Sequence, residues 1–221
     1  VTLEGLMARH RVISGDDALP YFASPEVLIG FLNEAEAEAC IRGRLLHESA
    51  DPAICQIAIV AGQSSYPLHA SLYEIDYAAF QPTDGRKCLL RQVSQGWLDA
   101  NVPDWRDEEG DPRYLIQGDT ALRLVPMPAR AGTVFLEGYR TPKVPMANLT
   151  DTPEINGAHH VHLVQWSLHL AFSILDSELF DRARSDIAAA EFTRYFGLRP
   201  DSDLRRITRE DAPHVVVPFL P

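Results

Sequence analysis

The chain has 221 residues, 46% of them apolar, which suits one folded domain or a domain with an insertion and excludes a disordered chain. Its net charge of −11 excludes binding nucleic acid by charge attraction, because phosphate contacts need clustered Lys and Arg. No apolar run approaches the ~20 residues that cross a bilayer, and the first residues lack an apolar leader core, so neither membrane nor secretory targeting is expected.

A short helix is expected around Thr2 to His10. The first full helix begins at Ser24-Pro25-Glu26: Ser24 can cap exposed backbone N–H groups, Pro25 suits the first turn, and Glu26 favours the positive helix end. Leu28, Leu32, Ala35 and Ala39 then recur at helical spacing, and Glu38 and Arg42 stand four apart in a favourable order for an ion pair. Gly43 weakens this helix and Asp51-Pro52 ends it. From Ile54 to Arg140 the period shortens. Ile57 and Ile59 flank Ala58, Tyr73, Ile75 and Tyr77 alternate with acids, and Leu122 and Leu124 flank Arg123. Gly118-Asp119 reads as a hairpin turn. Ser94 to Ala100 reads as a short helix, and Pro103 to Pro112, with Asp104, Asp107, Glu108, Glu109 and Asp111, as an exposed acidic loop. About six antiparallel strands are expected here.

Pro142 and Pro145 stiffen the connection that follows. Thr152-Pro153-Glu154 repeats the capping pattern of Ser24. Val161, Val164, Leu168, Ala171 and Leu175 form one helical stripe, with Leu163, Leu170 and Ile174 beside it. A helix apolar over so much of its girth must be covered on several sides, by its own domain or by a neighbouring subunit. Leu179 to Phe196 reads as a second helix, with Phe180, Ala183, Ile187 and Phe192 inward, closed by Gly197 and Pro200. The short connection makes the two helices antiparallel neighbours. The segment Pro213-His214-Val215-Val216-Val217-Pro218-Phe219-Leu220-Pro221 cannot be helical; it either packs on its own domain or docks on a partner.

The fold class is therefore α+β: a helical bundle core, made of the N-terminal helix and a C-terminal αα-hairpin, with an inserted antiparallel β unit. The expected spans are residues 1–53 for the N-terminal helical segment and 54–140 for the β-rich insertion. The helical hairpin takes 141–200 and an extended docking tail 201–221.

No phosphate loop, dinucleotide fingerprint, HExxH helix, GxSxG elbow or CxxC pair is present, so no catalytic residue, cofactor or metal is expected. His159, His162 and His169 could share a helix face and, with His160 nearby, hold a transition metal, but no acidic partner lies at matching spacing. The acidic loop lacks the spacing of an EF-hand. Cys40, Cys55 and Cys88 read as free thiols. The basic residues are 18 Arg against Lys87 and Lys143, a bias that interface ion pairs or a GC-rich genome would each produce.

Leu28-Ile29-Gly30-Phe31-Leu32-Asn33-Glu34-Ala35 resembles the opening helix of phage head-to-tail adaptor (connector or neck) proteins of the podovirus type. Leu122-Arg123-Leu124-Val125-Pro126-Met127-Pro128 resembles their strand pair. The likeness continues through Gly138-Tyr139-Arg140-Thr141-Pro142, Pro153-Glu154-Ile155, Trp166, Tyr195-Phe196-Gly197 and Arg199-Pro200. The resemblance implies a structural virion protein of the neck, assembled in the host cytoplasm as a homo-oligomeric ring of about twelve copies. Such a ring binds the portal protein, meets tail, nozzle or tube proteins, and lets double-stranded DNA pass without specific binding. The expected subunit interface is Val161, Val164, Leu168, Ala171, Leu175, Phe180 and Ile187; the expected portal-docking residues are Val215, Val216, Val217, Phe219 and Leu220. The β insertion departs from smaller, mainly helical adaptors. A tail-completion or tail-tube-end ring protein is the nearest alternative, and a metal-dependent hydrolase a more distant one.

Overall fold

Side-chain caps set where the first helices begin. In the computed structural model, which describes residues 1–175 and 177–200, the Thr2 hydroxyl accepts from the Gly5 N–H and opens α1 (Leu3–Ser14). Gly15, at φ 83°, closes it in the left-handed conformation that glycine adopts without strain. Ser24 caps α2 (Pro25–Gly43) as its sequence implied, but Arg44 turns left-handed (φ 49°) and halts the helix well before Asp51. Asp51-Pro52 instead opens a further short helix.

In chain order β1 (His47–Glu48), α3 (Pro52–Cys55), β2 (Gln56–Ile59), β3 (Ser65–Pro67), β4 (Leu72–Pro82), β5 (Cys88–Leu89) and β6 (Arg91–Gln92) come next. Then follow α4 (Gln95–Asn101), β7 (Glu109–Gly110), β8 (Tyr114–Gln117), β9 (Ala121–Val125), β10 (Met127–Pro128) and β11 (Gly132–Arg140). A single 3-10 turn at His160–His162 leads into α5 (Leu163–Ser173), and α6 (Arg182–Phe196) ends the described helices. The fold is α+β. It divides into a helical unit, Val1–His47 with Tyr139–Arg199, and a β unit, Glu48–Gly138.

The β unit holds more, and shorter, strands than the alternation suggested, and they are not all antiparallel. One sheet has the order β1-β11-β4-β5, with β2 also pairing β11. Another has the order β3-β9-β8-β6, and β10 pairs β7. The β6–β8 and β7–β10 pairs are parallel, because in each case the chain leaves the sheet and returns by a long connection. The Gly118 turn does join an antiparallel pair, with Gln117 opposite Leu122 and the Gly118 N–H bonded to the Ala121 carbonyl at 2.8 Å. Ile59, Tyr66, Leu72, Ile75, Phe80, Leu115, Leu122, Leu124, Val134 and Leu136 make the main core of this unit. A smaller one gathers Val93, Leu98 and Val125 around Trp105. That buried Trp105, whose Nε1–H donates to Asp99 at 2.9 Å, anchors the acidic loop while Asp107, Glu108, Glu109 and Asp111 stay exposed.

In the helical unit α5 packs against α1, α2 and α6. Leu3, Leu6, Leu28, Leu32, Val164, Leu168 and Phe172 fill one cluster; Ala35, Ala39, Leu163, Phe192 and Phe196 fill a second. Thr152-Pro153-Glu154 does not cap a helix. Glu154 forms a two-pronged ion pair with the buried Arg140, so its carboxylate is already engaged, and Arg140 holds the Glu154 carboxyl below its usual range. The backbone N–H groups of Glu154 and Ile155 donate to Glu36 of α2 at 2.6 and 3.3 Å. Asn33 makes a reciprocal pair with the Met146 backbone, at 2.9 and 2.8 Å. These polar struts fasten the 141–162 segment to α2 before α5 begins.

Candidate functional site

The seven residues expected to meet a neighbouring subunit differ in exposure. Val164, Leu168 and Ala171 are buried at 2% exposure or less by the chain's own helices, which corrects the expectation that siblings must cover them. One molecule supplies enough apolar surface from α1, α2 and α6 to wrap that stripe. Val161 is half-buried. Leu175, Phe180 and Ile187 are exposed, at 72%, 44% and 64%. Their positions explain why. Helix α5 stops at Ser173, so Leu175 lies beyond it; Asp181, not a residue near Leu179, caps α6 by accepting from the Arg184 N–H at 3.0 Å, so Phe180 precedes it. Ile187 sits on the outward side of α6, opposite Ser185, Ala188 and Phe192.

These side chains are joined at one end of the helical unit by residues that periodicity alone did not single out. Arg184 donates to the carbonyls of Ile13 (2.6 Å) and Ser14 (3.4 Å), capping the last turn of α1 from α6, and its guanidinium stands 4.1 Å from the centre of the Phe172 ring. The Asp181 N–H bonds to the Phe172 carbonyl at 3.0 Å. The C-terminus of α1, the C-terminus of α5 and the N-terminus of α6 therefore meet. Val12, Ile13, Ile174, Leu175, Phe180 and Ile187 are all exposed there.

The loop from residue 15 to 24 adds Leu19 at 80% exposure, Tyr21 and Phe22. It is shaped by a buried ion pair: Arg11 donates to Asp16 at 2.8 Å and to the Ala23 carbonyl at 3.0 Å, and stacks 3.5 Å from the Tyr21 ring centre. Asp16 also accepts from the Phe22 and Ala23 N–H groups at 2.7 and 3.1 Å. A loop that shows large apolar side chains to solvent is thus fixed from beneath by charge. Exposed apolar groups gathered on a rigid frame make this end the candidate docking surface. The available sequence signal was the stripe Leu3, Leu6, Met7, His10, which leaves Val12 on the opposite face of α1.

A second feature of the helical unit is a cleft of about 330 Å³ lined by Arg9, Val161, His162, Gln165, Glu191, Arg194 and Tyr195. His162 stacks on Tyr195 with ring centres 3.5 Å apart, and His159 Nδ1 lies 3.1 Å from the Tyr195 hydroxyl. The histidines do not converge on a common point. His160 is buried and donates from Nε2 to the Ile155 carbonyl at 2.9 Å, and His169 Nδ1 lies 2.9 Å from Ser185 Oγ. Among the described residues no group of three His, Cys, Asp or Glu side chains is placed to hold a metal ion. Cys40 and Cys55 are buried and Cys88 is exposed, and burial pushes the Cys40 thiol up to about 12, far from a reactive thiolate. No described helix is long and apolar enough to cross a membrane. The expected portal-docking residues, Val215, Val216, Val217, Phe219 and Leu220, lie outside the described residues.

No curated protein matches the chain. The family model described as SU10 adaptor protein matches residues 1–217, almost the full length, and spans both the helical and the β unit. The chain belongs to the SU10 adaptor protein family.

Proposed function

We propose that this phage structural adaptor is a ring-forming neck protein of the virion that binds the portal vertex, extends the DNA channel and offers the tail its attachment surface. The observation that carries the proposal is the exposed apolar end of the helical unit, built from Ile13, Leu19, Phe22, Leu175, Phe180 and Ile187. Burying a side chain of this size contributes about 1.5–3 kcal/mol, so a few of them suffice for a stable contact once copies are aligned on a template. The ring itself, of about twelve copies, requires head-to-tail contacts between two different patches per copy. The net charge of −11 disfavours adhesion of DNA to the channel wall. Residues Val215 to Leu220 complete the proposal as a segment that docks on the portal, since an apolar peptide can add to a partner's sheet edge.

The test is sedimentation of the purified chain with portal oligomers, followed by negative-stain imaging. Co-sedimentation with a ring at the portal's distal face is expected, and Leu175→Glu/Ile187→Glu should abolish it. A chain that stays in the supernatant, or a double variant that binds as the unmodified chain does, contradicts the proposal.

A further inference from the structure

We propose that the cleft around Arg9 and Arg194 receives the acidic loop of a second copy, with Glu108 and Glu109 as the groups that enter it. This rests on the ring assembly proposed above and names the second of the two patches that a head-to-tail contact requires.

The cleft is a cationic spot on an acidic chain. Arg9 is exposed on α1 and makes no side-chain hydrogen bond or ion pair to a described residue. Arg194, one α-helix away, shares its charge with Glu191 through an i,i+3 pair, which leaves the cleft with a net positive balance. Burial and the neighbouring His159, Arg9 and Arg194 all press the His162 imidazole toward its neutral form, as a locally positive field does. Gln165 and the Tyr195 hydroxyl add neutral hydrogen-bonding groups to the wall. An anionic side chain fits this chemistry: two guanidinium groups for charge and a flat His–Tyr stack as the floor.

The acidic loop supplies the complement. Asp111 is engaged by Arg130, and Asp99, in the helix before the loop, by Arg106. Glu108 and Glu109 are exposed, and neither has a side-chain ion pair with a described residue. They are held in place nonetheless. The Glu108 carbonyl accepts from the Met127 N–H at 2.9 Å, Glu109 opens β7, and Trp105 pins the loop to the core of the β unit. A pair of carboxylates and a cleft Arg that find no ion-pair partner among the described residues of their own chain suit a contact between copies. Exposed ion pairs contribute little affinity, so the role of this contact is register and orientation, while the apolar end holds the copies together.

The test is a charge exchange read by ring formation on the portal and by sedimentation of the chain alone. Arg9→Glu/Arg194→Glu places like charges opposite the loop, and Glu108→Lys/Glu109→Lys does so opposite the cleft. Each double variant, checked for native circular dichroism, should assemble about tenfold more weakly than the unmodified chain. An equimolar mixture should recover assembly, because only alternating copies then present opposite charges. An independent measurement needs no charge reversal: in Arg9→Lys, a carbodiimide should link position 9 of one copy to Glu108 or Glu109 of another. Assembly that ignores both double variants, a mixture no better than its components, or links confined to other acids would overturn the pairing and leave the ring proposal intact. Absence of any assembly by the unmodified chain would overturn both.

Discussion

Replacing Arg11 by Met tests how the apolar end is held. The Arg11 guanidinium is nearly inaccessible and the Asp16 carboxylate fully so, at 9% and 0% side-chain exposure. Met keeps most of the aliphatic stem and removes the charge, leaving a carboxylate buried without its cation. Breaking a buried pair from one side costs about 3–5 kcal/mol. The Phe22 and Ala23 N–H groups still donate to Asp16, so the lower end of that range applies, about 3 kcal/mol. For a unit of this size that lowers the midpoint of thermal unfolding by more than about 10 °C. Arg11→Met/Asp16→Asn leaves no buried charge and should recover more than half of the loss, as a double-mutant cycle by urea denaturation would show. The same variant should expose the 15–24 loop to limited proteolysis, since the Ala23 carbonyl and the Tyr21 ring lose their partner. If Arg11→Met costs less than about 1 kcal/mol, or if the double variant is no more stable than the single one, the buried pair does not organise this loop.

Other outcomes follow from single groups. His10 is buried, its Nδ1–H donates to Ser167 Oγ at 2.9 Å and its Nε2 has no partner, and burial with Arg11 alongside brings its pKa down from 6.5 to about 4. The unfolded chain therefore takes up a proton that the folded one refuses. Stability should be full above pH 6.5, fall by roughly 3 kcal/mol as pH drops towards 4, and change no further through this group below that. Denaturant titrations at several pH values should show that dependence, and His10→Gln should remove it. A Cβ at Gly138 would lie 2.1 Å from the Glu74 carbonyl oxygen, between two backbones that cannot part, so Gly138→Ala should destabilise the β unit by about 1–3 kcal/mol. Gly30, exposed in α2 with open space at its Cβ, should give the opposite sign: Gly30→Ala stabilises by about 0.5–1 kcal/mol in the same thermal assay. Leu175→Glu/Ile187→Glu should change the stability of the lone chain by less than about 0.5 kcal/mol per site, because neither side chain is covered.

Much of the helical unit was legible because its signals are local. Ser24-Pro25-Glu26 opens a helix by capping chemistry, and Leu28, Leu32, Ala35 and Ala39 are buried at the spacing that announces them. The same logic failed at Thr152-Pro153-Glu154, where the pattern is right but Arg140, fourteen residues earlier in the chain, claims the carboxylate. The β unit was readable as strands but not as a topology. Two-residue strands such as β6 and β7 carry no period, and their parallel pairing depends on connections whose course no local pattern encodes. The candidate surface was half legible. Periodicity identified an over-apolar hairpin, yet it could not tell which apolar residues the chain covers itself. Val164 and Leu168 face α1 and α2, whereas Leu175 and Phe180 escape because α5 ends at Ser173 and α6 begins only at Arg182. The cap that joins α1 to α6 depends on Arg184, a residue that a sequence reading leaves among the solvent-exposed arginines.

An electron cryomicroscopy reconstruction of the chain assembled on its portal tests most directly whether the exposed apolar end is an assembly surface. A closed ring is expected, in which Leu19, Phe22, Leu175, Phe180 and Ile187 of every copy are covered by a neighbouring copy or by the portal. A ring in which those five side chains remain in solvent, or a chain that is found on the portal only as isolated single copies, would contradict it.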